Sequence, residues 1–265
     1  MTRSLIVRLF ALAAVLASLP ASRLPQDPKP TPGPDKEVAE KIATLKEVVL
    51  DRKCARDDEG VKLIDELHMK LQAGVDPKDE KEVTKALDGV FMMGKVRPPD
   101  NMKLYYGAAA ALGYCGADGA KSLQKAFESK RFKDSKEWVP LREQLLKYLG
   151  HTKDESMVKW LCKRARTDTE AALQAAAGDA LGNFEESKEP VRKDIVEELM
   201  SKYGSLAEEA SQMGSSNIEA QNAQNRLAAL QDKWHTTLSK LTRQKKLETF
   251  REWQTWYNKN KNLPW

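Results

Sequence analysis

The chain has 265 residues, 41% hydrophobic and 31% charged, with 44 Lys and Arg against 39 Asp and Glu for a formal charge of +5. A chain of this size buries roughly 70% of its unfolded surface, so folding requires neither disulfides nor a metal, and the composition excludes a disordered protein. Lys and Glu are interspersed, with no block of five or six like charges, which argues against the concentrated basic stripe of a nucleic-acid partner.

The first residues differ from the rest. Arg3 and Arg8 flank a basic start, Leu9–Leu19 is an apolar run, and Ala17, Ser18, Ala21 and Ser22 are small. This pattern predicts a secretory signal peptide over residues 1–21, cleaved after Ala21 or Ala17, and an extracytoplasmic location, periplasmic or secreted. The run is too short for a comfortable membrane span, so no membrane insertion is expected after cleavage; an uncleaved anchor is the alternative. Losing residues 1–21 removes Arg3, Arg8 and no acid. Residues 22–35 carry Pro25, Pro28, Pro30, Pro32 and Pro34, which predicts an extended polyproline-II linker.

The body, residues 36–265, reads as helical throughout; no alternating strand pattern extends beyond a few residues. Asp35 or a neighbour caps a helix with Val38, Ile42, Leu45, Val48 and Val49 as its stripe, running to about Cys54. Asp57 and Asp58 open a second helix, through Ile64 and Leu67 to Gly74. Asp76-Pro77, an acid at the cap and Pro at the first helical position, opens a third. Arg97-Pro98-Pro99 interrupts the pattern as a rigid loop, with Arg97 a possible partner contact.

A repeat follows. Leu104–Gly113 (LYYGAAAALG), Leu141–Gly150 (LREQLLKYLG) and Leu173–Gly182 (LQAAAGDALG) share Leu at i, Ala or Leu at i+4, Ala or Tyr at i+7, Leu at i+8 and Gly at i+9. The offsets trace one helix face, and the terminal Gly suits a left-handed C-cap. Each helix pairs with a following charged one, near 118–130, 154–166 and 189–203. Helix pairs recurring at about 30–45 residues predict an α-solenoid, in which neighbours must stack to bury their apolar faces. A looser segment after Tyr203-Gly204 leads to a long helix near 217–242 and a last one with Phe250, Trp253, Trp256 and Tyr257. Four of the six tryptophans lie in the last 32 residues, a Trp-rich cap over 217–265.

The L-x3-A-x2-A-L-G helices resemble HEAT repeats, clearest over 101–203 and looser over 36–94. The leader, Pro tract, repeats and C-terminal motifs together resemble exported HEAT-repeat proteins of planctomycete bacteria, whose tails read LTG and then W-x2-WW-x2-NK. Here Leu241, Thr242 and Arg243 stand for LTG, and Trp253, Trp256, Tyr257, Asn258 and Lys259 match the remainder; Arg243 is the departure. The resemblance implies an all-α, HEAT-like fold and an exported compartment, and brings no activity with it.

No catalytic constellation emerges. Gly89–Lys95 (GVFMMGK) has the G-x4-G-K skeleton, but Val96 stands where Mg²⁺ coordination needs Ser or Thr, and the run ends a helix. His68, His151 and His235 lack metal-ligand spacing. Cys54, Cys115 and Cys162 form no CxxC and are odd in number; buried thiols are expected, with a Cys115–Cys162 pair as the alternative. Adjacent acids such as Glu197-Glu198 diverge around the helix. The expectation is therefore a non-enzymatic scaffold or protein-binding module without catalytic residues, metal or cofactor. Its possible partner or ligand patch is Trp253, Trp256, Tyr257 and Arg97, though the spacing of the aromatics equally suits a buried stripe. The alternatives are an extracytoplasmic enzyme or accessory with a groove site, and a carbohydrate-binding module using the tryptophans.

Overall fold

Each helix packs chiefly on those one and two places away along the chain. A computed structural model describes residues 35–133, 135–211 and 218–265; the predicted leader, the linker up to Pro34 and the helix start at Asn217 lie outside them. Among the described residues the chain is all-helical, with eleven α-helices and four short 3₁₀ turns. These are α1 (Lys36–Leu50), α2 (Asp57–Ala73), α3 (Pro77–Met92), α4 (Lys103–Leu112), α5 (Gly116–Glu128) and α6 (Val139–His151). Then come α7 (Val158–Thr167), α8 (Ala171–Leu181), α9 (Glu189–Ser211), α10 (Ile218–Thr242) and α11 (Phe250–Asn260).

Side-chain caps set the starts of α1, α3 and α11. The Asp35 carboxylate accepts from Glu37 N–H at 2.9 Å, and that of Asp76 from Lys78 N–H at 2.8 Å, with Pro77 at the first position of α3. Thr249 and Glu252 form a reciprocal capping box on α11. Each such cap satisfies an orphan donor and is worth about 1 kcal/mol. The five buried residues of α1 are Val38, Ile42, Leu45, Val48 and Val49, the stripe read from the sequence.

Two local expectations change. The first helix stops at Leu50, because the Asp51 carboxylate takes the N–H groups of Lys53 and Ala55 and bends the chain away. Asp57 opens α2, as read from the sequence, and Arg97 claims its carboxylate. Gly204 does not end α9, which continues to Ser211 with Leu206 buried; burial of Leu206 offsets the roughly 1 kcal/mol that a helical Gly costs. Tyr105 is fully buried among Phe91, Phe132 and Trp138.

The even-numbered helices contact in succession, α2 to α4, α6, α8 and α10. The odd-numbered ones do so as α1–α3–α5 and α7–α9–α11. Between chain neighbours the more extensive packing joins α1 to α2, α3 to α4, α5 to α6, α7 to α8 and α9 to α10. The closer couples are thus offset by one helix from those the repeat boundaries suggested. One hydrophobic cluster runs from Val38 to Trp253 without a break.

The repeated glycines serve a purpose other than the expected left-handed cap. Gly113 and Gly182 are right-handed, at φ −58° and −63°, and Gly150 lies within α6. What they share is a close neighbour. A Cβ on Gly113 would lie 3.3 Å from the Tyr148 carbonyl oxygen, one on Gly150 2.6 Å from that of Ala180, and one on Gly182 3.0 Å from Thr237 Oγ1. Each therefore marks where one even-numbered helix meets the next. Replacing Gly150 by Ala should destabilise the fold by about 1–3 kcal/mol, measured by urea denaturation, although helix propensity alone favours Ala by about 1 kcal/mol. A more stable Gly150→Ala protein would refute the close approach.

Candidate functional site

The C-terminal aromatics divide between the interior and the surface. Trp253 is fully buried on α11, while Trp256 and Tyr257 on the same helix are partly exposed. Trp253 and Trp256 meet edge to face at 6.1 Å, and Trp256 meets Trp265 at 5.4 Å. Beneath them Tyr203 packs on Phe250 at 4.7 Å, on Trp234 at 6.2 Å and on His235 at 5.5 Å. Such edge and tilted pairs each add about 0.5–1.5 kcal/mol beyond the area they bury.

Trp265 is a member of this site that helical spacing does not reveal, because it follows Pro264 outside any helix. It is held from α9: Arg192 donates to the Trp265 carbonyl at 2.8 Å and also to that of Leu241, and Lys193 donates to the Leu263 carbonyl at 2.8 Å. The Lys193 ammonium and the Arg192 guanidinium lie 5.5 Å and 5.9 Å from its ring. Between α9 and α11 these residues frame an open cleft of about 500 Å³, lined by Glu189, Lys193, Glu197, Tyr257, Lys261 and Trp265 among others. It has an aromatic floor with mixed charge at its rim, and could seat a side chain of a partner.

Arg97 is separate from the aromatic group and fully buried. Its guanidinium donates to Asp57 Oδ1 at 2.9 Å, to the carbonyls of Val48 at 3.0 Å and Val49 at 3.1 Å, and to that of Lys95 at 3.0 Å. Its own N–H donates to the Tyr105 hydroxyl at 3.0 Å. Val48 and Val49 lie at the end of α1, where carbonyls lose their i+4 helical partners; the Val48 carbonyl takes Asp51 N–H at 3.2 Å as well, and Arg97 ties these carbonyls to the start of α2 and to α4. It is an interior joint and offers no side chain to a partner. Beside it the GVFMMGK run closes α3, and Gly94, at φ 63°, brings the chain so close to the Val49 carbonyl that no side chain fits.

The three histidines stay apart, each against a tyrosine: His68 with Tyr114, His151 with Tyr148, His235 with Tyr203. Burial pushes all three rings below their ordinary pKa. His235 Nε2 lies 2.8 Å from the Tyr203 hydroxyl, whose own pKa burial raises to about 12. The cysteines are free thiols, and burial raises Cys115 to about 11 and Cys162 to about 12. Among the described residues no group of three or more His, Cys, Asp or Glu is placed to hold a metal, and no helix is long and apolar enough to cross a membrane.

No family model, curated protein or solved structure matches this chain.

Two outcomes follow from the geometry of the site. Trp253→Ala should cost about 3–5 kcal/mol in urea denaturation, and Trp256→Ala, at the surface, no more than about 2 kcal/mol; equal costs would contradict the division between them. Because burial holds His235 below its unfolded pKa near 6.5, the unfolded chain binds more protons in that range, and stability present above pH 7 is lost as the pH falls below 6.5. Melting measured from pH 7.5 to 5.5 should fall, and fall less steeply in His235→Gln.

Proposed function

We propose that this chain is an exported, non-enzymatic scaffold: a HEAT-like α-solenoid of antiparallel helix pairs that presents its surface to a protein partner. The observation that carries the reading is the neighbour-only packing. Helices in contact chiefly with those one and two places along the chain are what a quasi-one-dimensional stack requires, and the succession α2–α4–α6–α8–α10 supplies one wall of it. The interhelix glycines support the same reading, since each repeat meets the next at the same position. The likeness to exported HEAT-repeat proteins gains support at Arg243, the residue that departs from LTG. It sits at φ 61°, a left-handed turn that Gly adopts freely and Arg does not.

The aromatic end of the stack, with Trp256, Tyr257 and Trp265, is the partner-facing patch in this reading; Trp253 supports it from below. A carbohydrate platform is less favoured, because a sugar ring needs open aromatic faces and Trp253 offers none. The signal peptide and extracytoplasmic location belong to the same proposal.

The test is capture from envelope fractions with the mature protein, and with a Trp256→Ala/Tyr257→Ala variant of unchanged melting temperature. A single partner retained in stoichiometric amount, and lost about tenfold or more in the variant, is the expected result. Turnover on a substrate panel with no partner recovered would overturn the scaffold reading. Mass analysis of the same material should find the chain starting after residue 21 or 17.

A further inference from the structure

The junction of α5, α6 and α7 holds two arginines whose hydrogen-bonding capacity the protein leaves unused. Arg142 on α6 is only 8% exposed, and its guanidinium carbon lies 4.2 Å from the centre of the Phe127 ring. Arg164 on α7 approaches the same ring at 6.0 Å and the ring of Trp160 at 5.2 Å. Phe127 and Trp160 meet edge to face at 5.3 Å. Both arginines are thus gathered around one aromatic pair.

Neither has a hydrogen-bond acceptor among the described residues, and the Nε–H of each is buried with no partner. The one carboxylate facing Arg142 is that of Asp168, whose Oδ2 stands 3.8 Å from the guanidinium, beyond hydrogen-bond range. The other Asp168 oxygen accepts from Glu170 N–H at 3.3 Å. Glu128 is engaged by the Trp160 indole N–H at 2.8 Å. Burial and the like charge of Arg164 both work against the Arg142 cation, while Asp168 and Glu170 support it.

The contrast with the other buried arginines is plain. Arg97 spends its donors on Asp57 and three carbonyls, and Arg192 on the carbonyls of Leu241 and Trp265. Buried donors are nearly always satisfied, and an orphan among them asks for a missing partner. A guanidinium presents up to five donors in a fixed fork that matches carboxylate and phosphate oxygens.

We propose that Arg142 and Arg164 form an oxyanion-binding site, walled by Phe127 and Trp160, that takes a carboxylate or phosphate group between the two guanidiniums. The anion would accept from the unpaired donors and neutralise the repulsion between the two cations. Asp168, Glu128 and Glu170 border the cluster, but none of them accepts a hydrogen bond from either guanidinium, so the directional donors remain for an anion. Glu128, Trp160, Arg164 and Glu170 at the edge of the cluster are each at least partly exposed. The site does not depend on the scaffold reading.

The experiment is thermal melting of the mature protein at constant ionic strength, with chloride replaced stepwise by inorganic phosphate in one arm and by acetate in the other. Total tryptophan emission is followed in parallel. A saturable rise in melting temperature of about 2–4 °C is expected. The arm that half-saturates at lower concentration identifies whether the site prefers phosphate or a carboxylate. Arg164→Gln, at a partly exposed position, should fold normally and raise the half-saturating concentration at least tenfold. Arg166→Gln, which removes an equal charge from the exposed pair with Glu198, should respond as the parent does. Trp160→Phe should melt like the parent and lose the emission change. Absence of a saturable shift in both arms, or the same shift in Arg164→Gln as in the parent, would overturn the proposal.

Discussion

At three points along the chain a glycine stands where one even-numbered helix meets the next, and at Gly150 the approach is closer than any side chain would permit. Gly113 meets Tyr148, Gly150 meets Ala180, and Gly182 meets Thr237. The alanines around them extend these contacts: Ala108, Ala109 and Ala111 on α4, and Ala175, Ala176, Ala177 and Ala180 on α8, are all buried. Small residues at an interface bring helix axes together, and side chains beyond the contact then interlock at the density of a protein interior. Gly178 serves the same end by admitting the Trp234 indole against its own backbone. The placement of α4, α6, α8 and α10 depends on these approaches, and the cap in turn rests on α9 and α10.

Buried arginines form a second set of joints. Arg97 links the end of α1 to the start of α2, and Arg192 links α9 to the end of α10 and the C-terminal segment. Both donate to carbonyls at helix ends or beyond them, acceptors that a fixed fork of donors suits well. Removing one partner of a buried charge pair typically costs about 3–5 kcal/mol, so Arg97 ranks with the large core residues in stability. The pair at Arg142 and Arg164 is the exception, because aromatic faces rather than acceptors surround it.

Much of the helical layout was legible in the chain itself. The five-residue stripe of α1, the Asp76-Pro77 start and the Leu104, Leu141 and Leu173 repeats all depend on spacing along one helix, and spacing is local information. The candidate site was less legible. Trp253, Trp256 and Tyr257 share helical spacing, yet only Trp253 is interior, since which flank of α11 faces Tyr203 and His235 is decided by where α9 and α10 lie. Trp265 carries no periodic signal. Arg97 looked like a loop residue because its partners, Asp57, Val48 and Val49, are forty or more positions distant.

The sequence by itself determined the helical class, several helix starts and the positions of the repeated glycines, because caps, prolines and a 3.6-residue period act within a few residues. Only the tertiary structure decided what the glycines are for, which helices couple most closely, and which arginines find acceptors. Those outcomes depend on distances between segments far apart in the chain. A Gly at a helix end reads equally as a left-handed cap or as a close-contact point until the neighbouring helix is in place.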